Sequence, residues 1–286
     1  MGNALKILAL ETTDAQGSVA LCVGGEILTS RRLETERRSA QTLAPTIQET
    51  LTEFGWAPRD VDAVAVAVGP GSFTGLRVGV ATAKMFAWAV GAKIVGVDAL
   101  EAIAAEIERF PNGEATGVVS VGIDAQRGDA AVRRFWLEPA EKRAPLPLDD
   151  DYRVTSVKKW FAEEKSREFV GNFDCVKSAD SARFSDSEVF IERAKASAAE
   201  NVYFCGPSLD RWRNKGSENI ETQFVDAAFW APTAAGVARV AWRRVEAGDF
   251  DEVWSILPVY SRLAAAEERA QEKAAENAAN REKTSK

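Results

Sequence analysis

The 286 residues carry a net charge of −7, contain no histidine and are 46% hydrophobic. The apolar share is enough for one large or two medium cores without metals or disulfides, and the acidic balance excludes a chain-wide positive surface for gripping phosphate backbones. Without histidine, Ser-His-Asp and Cys-His sites and His-ligated metal centres are excluded, whereas carboxylate chemistry and phosphate binding are not.

The three cysteines, Cys22, Cys175 and Cys205, are far apart and odd in number. This favours reduced thiols over a disulfide framework. The amino terminus lacks a signal-peptide pattern, and the apolar stretch at residues 85–97 is interrupted by Lys93 and too short to span a bilayer. We therefore expect a cytoplasmic protein with no membrane partner.

The chain opens with three strands, at residues 5–10, 18–23 and 26–33, separated by turns. This pattern predicts an antiparallel meander. Residues 39–54 follow with apolar side chains spaced three or four apart, which predicts an amphipathic helix with Pro45 in its first turns. Its apolar stripe includes Leu43, Ile47 and Leu51.

A strand is predicted at residues 60–68, where alternating Val and Ala indicate a sheet with one face crowded by a helix. The turn Gly69-Pro70-Gly71 ends it. A helix from Ser72 to about residue 90, a strand at 94–97 and a helix at 99–109 capped by Asp98 complete the first half.

The second half begins as the first does, with strands at residues 117–123 and 129–136 around an acidic turn. This resemblance predicts an internal duplication. The later expectations are an irregular connection at 138–151, a helix at 154–163, strands at 168–170 and 202–205, a helix at 191–200, and a helix at 233–248 with Val237, Val240, Ala241 and Val245 on its buried side.

We accordingly predict an N-terminal domain at residues 1–110 and a second domain at 114–262. The helix at 233–248 is expected to pack back on the first domain. Residues 263–286, rich in charge and alanine, are expected to form a flexible tail.

Three small residues, Gly75, Gly79 and Ala83, share one face of the second helix because they are spaced four apart. Small side chains let another backbone approach closely. Two interpretations stay open: an intimate contact with a helix of another subunit, or close packing on the chain's own sheet.

The turn at Gly69, Gly71 and Ser72 precedes a helix and offers a weak candidate for holding an anion or a nucleotide phosphate. It is not a P-loop, because the spacing to a following lysine fails. Acidic residues Glu11 and Asp124 occupy matching turns of the two halves. They could hold magnesium or simply accept hydrogen bonds from turn amides.

Residues 69–104, GPGSFTGLRVGVATAKMFAWAVGAKIVGVDALEAIA, resemble the signature stretch of the TsaB/YeaZ family. Further similarity lies in ILALETTDAQGSVAL, RRSAQTLAPTIQETL, IDAQRGDAAV and LPVYSR. The resemblance is dense from Lys6 to about Leu100 and thin over residues 138–244. Family members usually have Asp where this chain has Glu11.

The resemblance implies an α/β fold of two actin-like (RNase H-like) halves, each a mixed sheet with flanking helices. It implies a non-catalytic scaffold in the synthesis of tRNA threonylcarbamoyladenosine, which pairs through its N-terminal helices with a TsaD-like catalytic subunit. A TsaE-like ATPase would be a further partner, tRNA would be reached only indirectly, and a homodimer is expected when the chain is alone. No cofactor is expected in the isolated chain, although ATP or ADP and magnesium could bind in the complex.

Mapped on this sequence, the resemblance places the partner interface on the first and second helices. The predicted interface residues are Leu43, Ile47, Leu51, Thr74, Gly75, Leu76, Arg77, Gly79, Val80 and Ala83.

Two other function classes remain to be weighed. One is an active actin-like phosphotransferase or ATPase that uses Glu11 with Asp124 and the turn from Gly69 to Ser72. The other is a peptidase. This chain has neither a histidine nor a credible Ser-Lys pair for such an activity. TsaD-like metal binding uses a pair of helical histidines, so their absence here argues against catalysis.

Overall fold

The computed structural model describes residues 4–34, 39–107, 116–138, 145–149, 151–165, 202–209 and 224–261. The first half consists of β1 (Lys6–Glu11), β2 (Ser18–Val23), β3 (Glu26–Arg32), α1 (Ser39–Glu53), β4 (Ala63–Gly69), α2 (Phe73–Val90), β5 (Lys93–Asp98) and α3 (Ala99–Ala104). The remainder consists of β6 (Gly117–Asp124), β7 (Asp129–Leu137), β8 (Leu146–Pro147), β9 (Arg153–Ser156), α4 (Val157–Lys165), β10 (Val202–Cys205) and α5 (Ala234–Glu246).

The first sheet has the strand order β3-β2-β1-β4-β5. Its central strand β1 pairs antiparallel with β2 and parallel with β4, and β4 pairs parallel with β5. The predicted meander is confirmed. The parallel pairs need crossover connections, which α1 and α2 supply.

The second sheet repeats this arrangement, with the order β10-β6-β7-β8 and with β9 also paired to β7. Strand β6 is antiparallel to β7 and parallel to β10, as β1 is to β2 and β4. The repeat supports the predicted duplication in topology. The predicted α/β fold class, two halves each built on a mixed sheet with flanking helices, is confirmed.

The alternation in β4 sorts its side chains onto two faces of the first sheet. Val64 and Val66 join the core beneath α1 and α2, whereas Ala63, Ala65 and Ala67 join the core beneath α5. The small alanine side chains let α5 approach the sheet closely. The sequence pattern therefore fixes which face each helix covers.

Helix α5 returns from the second half of the chain to cover the alanine face of the first sheet. Val237, Ala241 and Val245 are buried there. The N–H of Ala234 donates to the Ser18 hydroxyl at 2.8 Å, which fixes the start of α5 against β2. Thr233 caps the helix by accepting from the N–H of Gly236 at 3.0 Å.

Two expectations about the second half were wrong. Residues 154–156 belong to strand β9, and the helix expected there begins at Val157 instead, because Arg153–Ser156 pair with β7 at the edge of the sheet. Such pairing overrides a local helical pattern. The connection expected to be irregular contains the short strand β8.

Other expectations differ in extent or lie outside the described residues. Helix α3 ends at Ala104, whereas a helix to residue 109 was expected. The strand at 168–170, the helix at 191–200, the tail at 263–286 and the domain division near 110 all lie outside the described residues, so these stay predictions. None of the described helices has the length and hydropathy needed to cross a membrane.

The contact between α5 and α3 predicts that Gly236→Ala destabilises the protein. A β-carbon at Gly236 would lie 2.2 Å from the carbonyl oxygen of Ala102. Alanine normally favours a helix over glycine by about 1 kcal/mol, but the clash should outweigh this and lower the free energy of unfolding by about 1 to 3 kcal/mol. Urea denaturation measures the change.

The control for helix propensity is Ala89→Gly on the exposed side of α2. Propensity alone should cost it about 1 kcal/mol. A Gly236→Ala protein more stable than the parent chain would contradict the close α5–α3 contact.

Candidate functional site

The loop after β1 is seated on the first turn of α2. The Thr12 hydroxyl donates to the carbonyl oxygen of Gly75 at 2.7 Å, and the N–H of Ser72 donates to the carbonyl oxygen of Thr13 at 2.8 Å. Ser72 caps α2 by accepting from the N–H of Gly75 at 3.4 Å. The end of β1 and the start of α2 therefore form one hydrogen-bonded unit.

The small-residue face of α2 packs against this loop and the sheet beneath it. A β-carbon on Gly75 would lie 1.8 Å from the Thr12 carbonyl oxygen, and one on Gly79 would lie 2.2 Å from the Thr12 hydroxyl. Ala83 is fully buried in the same core. The hypothesis that this face meets another subunit is wrong: the glycines are needed for packing within the chain.

Most of the other predicted interface residues also point inward. Five of them are at most 4% exposed and belong to the chain's own core or its lining: Leu43, Ile47, Leu51, Leu76 and Val80. Side chains already buried in the monomer cannot form a surface for a partner, so this part of the prediction is also corrected. Of the predicted set, Thr74 and Arg77 are exposed.

The outward side of α2 carries different residues from those the sequence singled out. Beyond Thr74 and Arg77 it exposes Ala81, Met85 and Trp88, with Met85 54% and Trp88 60% exposed. Their spacing of four, four and three from Arg77 puts them on one face of the helix. This spacing is visible in the sequence, but the prediction was based on the glycine stripe, which lies on the opposite face of the helix.

A segment from near the far end of the described chain, residues 252–260, lies beside α2. The Lys84 amine donates to the carbonyl oxygens of Trp254 and Ile256 at 3.1 and 3.0 Å. The Trp254 ring lies 6.4 Å from the Trp88 ring. No sequence pattern connects positions so far apart, so sequence reasoning missed this segment's part in the surface.

The other end of this segment, at Tyr260, is held at the start of α2. The Tyr260 ring lies 4.5 Å from the Phe73 ring, and its hydroxyl accepts from Nε of Arg77 at 3.1 Å. Its carbonyl oxygen accepts from the hydroxyl of Tyr152, a residue of the second half, at 3.2 Å. The segment 252–260 therefore links α2, in the first half, to Tyr152 in the second half.

The turn proposed to hold an anion is filled by the chain itself. A β-carbon on Gly69 would lie 2.2 Å from the carbonyl oxygen of Val259, and one on Gly71 would lie 2.5 Å from the Thr13 side chain. The Ser72 N–H is already donated to Thr13. Close packing thus accounts for both glycines without a bound phosphate.

Glu11 lies at the end of β1, fully buried on the face covered by α5. It pairs across the strands with Ser18, which binds Ala234 of α5, and directly opposite side chains share a face. Its Oε1 accepts from the N–H and the hydroxyl of Thr13, and its Oε2 has no hydrogen-bond partner among the described residues. Burial raises the pKa of Glu11 from 4.5 to about 7.

Asp124, the matching acidic residue of the second half, also serves its own turn. Its Oδ1 accepts from the N–H of Gln126 at 2.9 Å. Gln126 and Arg127 adopt positive φ angles of 67° and 56°, a conformation that such hydrogen bonds help to hold. Within the described ranges, no three His, Cys, Asp or Glu side chains are grouped so that they could hold a metal ion.

The sequence matches known proteins over part of its length. A family model described as "TsaD: tRNA N6-adenosine threonylcarbamoyltransferase" matches residues 28–135. The "tRNA threonylcarbamoyladenosine biosynthesis protein TsaB" of Bacillus subtilis (strain 168) is 32% identical over 124 residues, which cover 43% of this chain and 52% of that protein. The protein of the same name from Escherichia coli (strain K12) is 35% identical over 134 residues, which cover 47% and 54%.

The chain thus spans about half the length of the curated relatives it matches. Its fold resembles the solved structure "YeaZ from Pseudomonas aeruginosa", with a TM-score of 0.63 and 23% sequence identity over 90% of this chain and 99% of that one. The structural match extends well beyond the stretch that sequence comparison aligns.

The buried carboxyl of Glu11 predicts a pH dependence of stability. The folded protein holds this proton up to a pH of about 7, whereas the unfolded chain releases it near 4.5. The stabilisation is therefore complete below pH 4.5 and is lost as the pH rises through 7, by about 3 kcal/mol in all. Glu11→Gln should flatten this part of the curve of unfolding free energy against pH.

The control is Glu49→Gln, which changes a carboxylate exposed on α1. Its curve should keep the slope of the parent chain between pH 4.5 and 8. If the Glu11→Gln protein had the same slope as the parent chain, Glu11 would not be the source of this pH dependence.

The corrected role of the glycine stripe predicts that Gly79→Leu destabilises the isolated chain. The added side chain has no room against Thr12, so we expect a loss of about 1 to 3 kcal/mol or more in unfolding free energy. Ala81→Leu places the same side chain on the exposed side of the same helix and should change stability by about 0.5 kcal/mol at most. Equal thermal midpoints for the two variants would contradict the packing of Gly79 against Thr12 and would indicate that the glycine face is exposed.

Proposed function

We propose that this chain is a member of the TsaB/YeaZ family and takes part in the synthesis of tRNA threonylcarbamoyladenosine as a non-catalytic scaffold that binds and supports a TsaD-like catalytic subunit. The observation that carries the proposal is the outward face of α2. It is exposed, apolar in part, and lies within residues 28–135, which the family model matches.

The similarity to the TsaD family supports a pairing between related chains. The family model covers residues 28–135, a range that contains both α1 and α2. Related proteins that share an element can pair through it about a pseudo-twofold axis, as identical subunits do about a true one. A TsaD-like subunit is therefore the partner we propose for the α2 face.

Three features support a scaffold rather than an enzyme. The sequence has no histidine for the metal site of TsaD-like proteins. Glu11 and Asp124 accept hydrogen bonds from their own turns, and the turn from Gly69 to Ser72 packs on Thr13 and Val259. Each group that an active phosphotransferase would need thus has a structural role in this chain.

The remaining parts of the proposal follow the family. We place the complex in the cytoplasm, with a TsaE-like ATPase as a further partner and with tRNA reached through the catalytic subunit. ATP or ADP and magnesium would bind in the complex rather than to this chain. Without its partner the chain is proposed to form a homodimer through a surface other than the outward face of α2, because that face carries Arg77 and Lys84 and no carboxylate.

Reconstitution tests the proposal. The chain, the TsaD-like protein of the same organism and the other components of the pathway are combined with unmodified tRNA, and threonylcarbamoyladenosine is measured by mass spectrometry of the digested nucleosides. We expect product with all components, almost none without this chain, and none from this chain alone because it lacks a catalytic site.

The control is the same mixture with the unfolding-prone Gly79→Leu protein in place of the parent chain, which should reduce product through loss of folded chain. Full product formation in the absence of the chain would contradict a supporting role. Product formed by the chain without the TsaD-like protein would contradict its non-catalytic character.

A further inference from the structure

The exposed large apolar side chains of the described residues are unevenly distributed. Seven of them are more than 40% exposed, and five of these lie on α2 or the neighbouring segment: Met85, Trp88, Trp254, Leu257 and Val259. Scattered single apolar residues are normal on a surface, but a cluster indicates an interaction site. Trp88, Trp254 and Met85, which we call the tryptophan patch, form its centre.

The tryptophan patch is held in place before any partner arrives. Trp254 is anchored through its own carbonyl oxygen and that of Ile256 by the amine of Lys84, while the Ile256 side chain is buried in the core. The Trp88 and Trp254 rings lie 6.4 Å apart and tilted by 58°. Such pre-organisation lowers the entropic cost of binding, and tryptophan is enriched among residues that dominate binding energy.

The charges around the patch indicate which kind of partner fits. Helix α2 carries Arg77 and Lys84 and no carboxylate, although the whole chain has a net charge of −7. Glu252 is the one acidic residue in the segment 252–260, so the two elements together keep a positive balance. A surface of this kind attracts acidic side chains.

A second copy of the chain fits this surface poorly. A twofold dimer through the patch would bring α2 against α2, and therefore Arg77 and Lys84 towards the same cations of the other copy. Juxtaposed like charges disfavour an association. The charge pattern thus selects a different polypeptide.

We infer that the tryptophan patch is the energetic centre of the partner interface and that it takes a helix of a different chain, with an apolar stripe for Trp88, Trp254 and Met85 and acidic residues for Arg77 and Lys84. The inference rests on the proposed function and makes it more specific: the segment 252–260, far from α2 in sequence, supplies half of the aromatic contact.

The test is the affinity of the full-length chain for the purified TsaD-like protein of the same organism, measured by isothermal titration calorimetry. Trp88→Ala and Trp254→Ala should each raise Kd by at least about 30-fold, as expected for residues at the centre of an interface. Val154→Ala, which shortens an exposed apolar side chain in β9, should change Kd by less than about threefold. All three variants should keep the thermal midpoint of the parent chain, because the substituted side chains are largely exposed.

Each outcome of the titration decides a separate question. If the parent chain binds and both tryptophan variants bind equally well, the inference is overturned while the proposed function stands. If the parent chain does not bind, the proposed function fails and the inference fails with it. If the parent chain is a dimer that Trp88→Ala or Trp254→Ala converts to a monomer, the occupant is a second copy and the inference is overturned.

Salt dependence tests the charge argument. Binding that weakens as ionic strength rises supports acidic partner residues opposite Arg77 and Lys84, because salt screens such attractions. In the same experiment, Arg77→Glu should weaken binding at low salt more than at high salt. Binding that is insensitive to both changes overturns the acidic-helix part of the inference.

Discussion

The contact between the loop after β1 and the small-residue face of α2 determines which side chains of α2 are exposed. Thr12 approaches Gly75 and Gly79 so closely that neither position could carry a side chain, and the Thr12 hydroxyl donates to Gly75. Because this contact fixes the rotation of α2 about its axis, it also fixes which residues face outward. Arg77, Ala81, Met85 and Trp88 are exposed as a direct consequence.

The same contact occupies the groups that the phosphotransferase interpretation would need. In the phosphotransferase interpretation, the end of the first strand and the following turn would hold metal and phosphate. Here Glu11 is buried and accepts from Thr13, and the turn glycines make room for Thr13 and Val259. The elements of such a site are thus occupied by internal packing, and the outer side of α2 is left exposed.

Much of the fold could be predicted from the sequence, because hydrophobic periodicity reports directly on local structure. The alternation in β4 and the four-residue spacing in α1 gave the correct elements and the correct buried faces. Strand β9 was missed because its conformation is set by pairing with β7, a contact that no local pattern carries. The boundary of α3 was likewise misplaced, as helix ends often are.

The sequence drew attention to the inner side of α2, whereas the surface we propose lies on its outer side. A stripe such as Gly75, Gly79 and Ala83 shows that something lies close, but spacing cannot say whether the neighbour belongs to the same chain. The outward stripe at Met85 and Trp88 was legible in the sequence, whereas the contribution of Trp254 depends on a contact across 166 positions of the chain that only the folded structure reveals. Hydrophobic periodicity in the sequence shows which face of an element is buried. A surface assembled from distant segments becomes visible only in the folded structure.

The central claim is that the inner face of α2 serves the fold and the outer face serves a partner. Hydroxyl-radical footprinting with mass spectrometry tests it most directly, comparing the chain alone with the chain bound to its TsaD-like partner. The account predicts that Met85, Trp88 and Trp254 are oxidised in the free chain and protected in the complex, while buried Trp160 is unreactive in both. Equal oxidation of Met85, Trp88 and Trp254 in the free and bound states would contradict it.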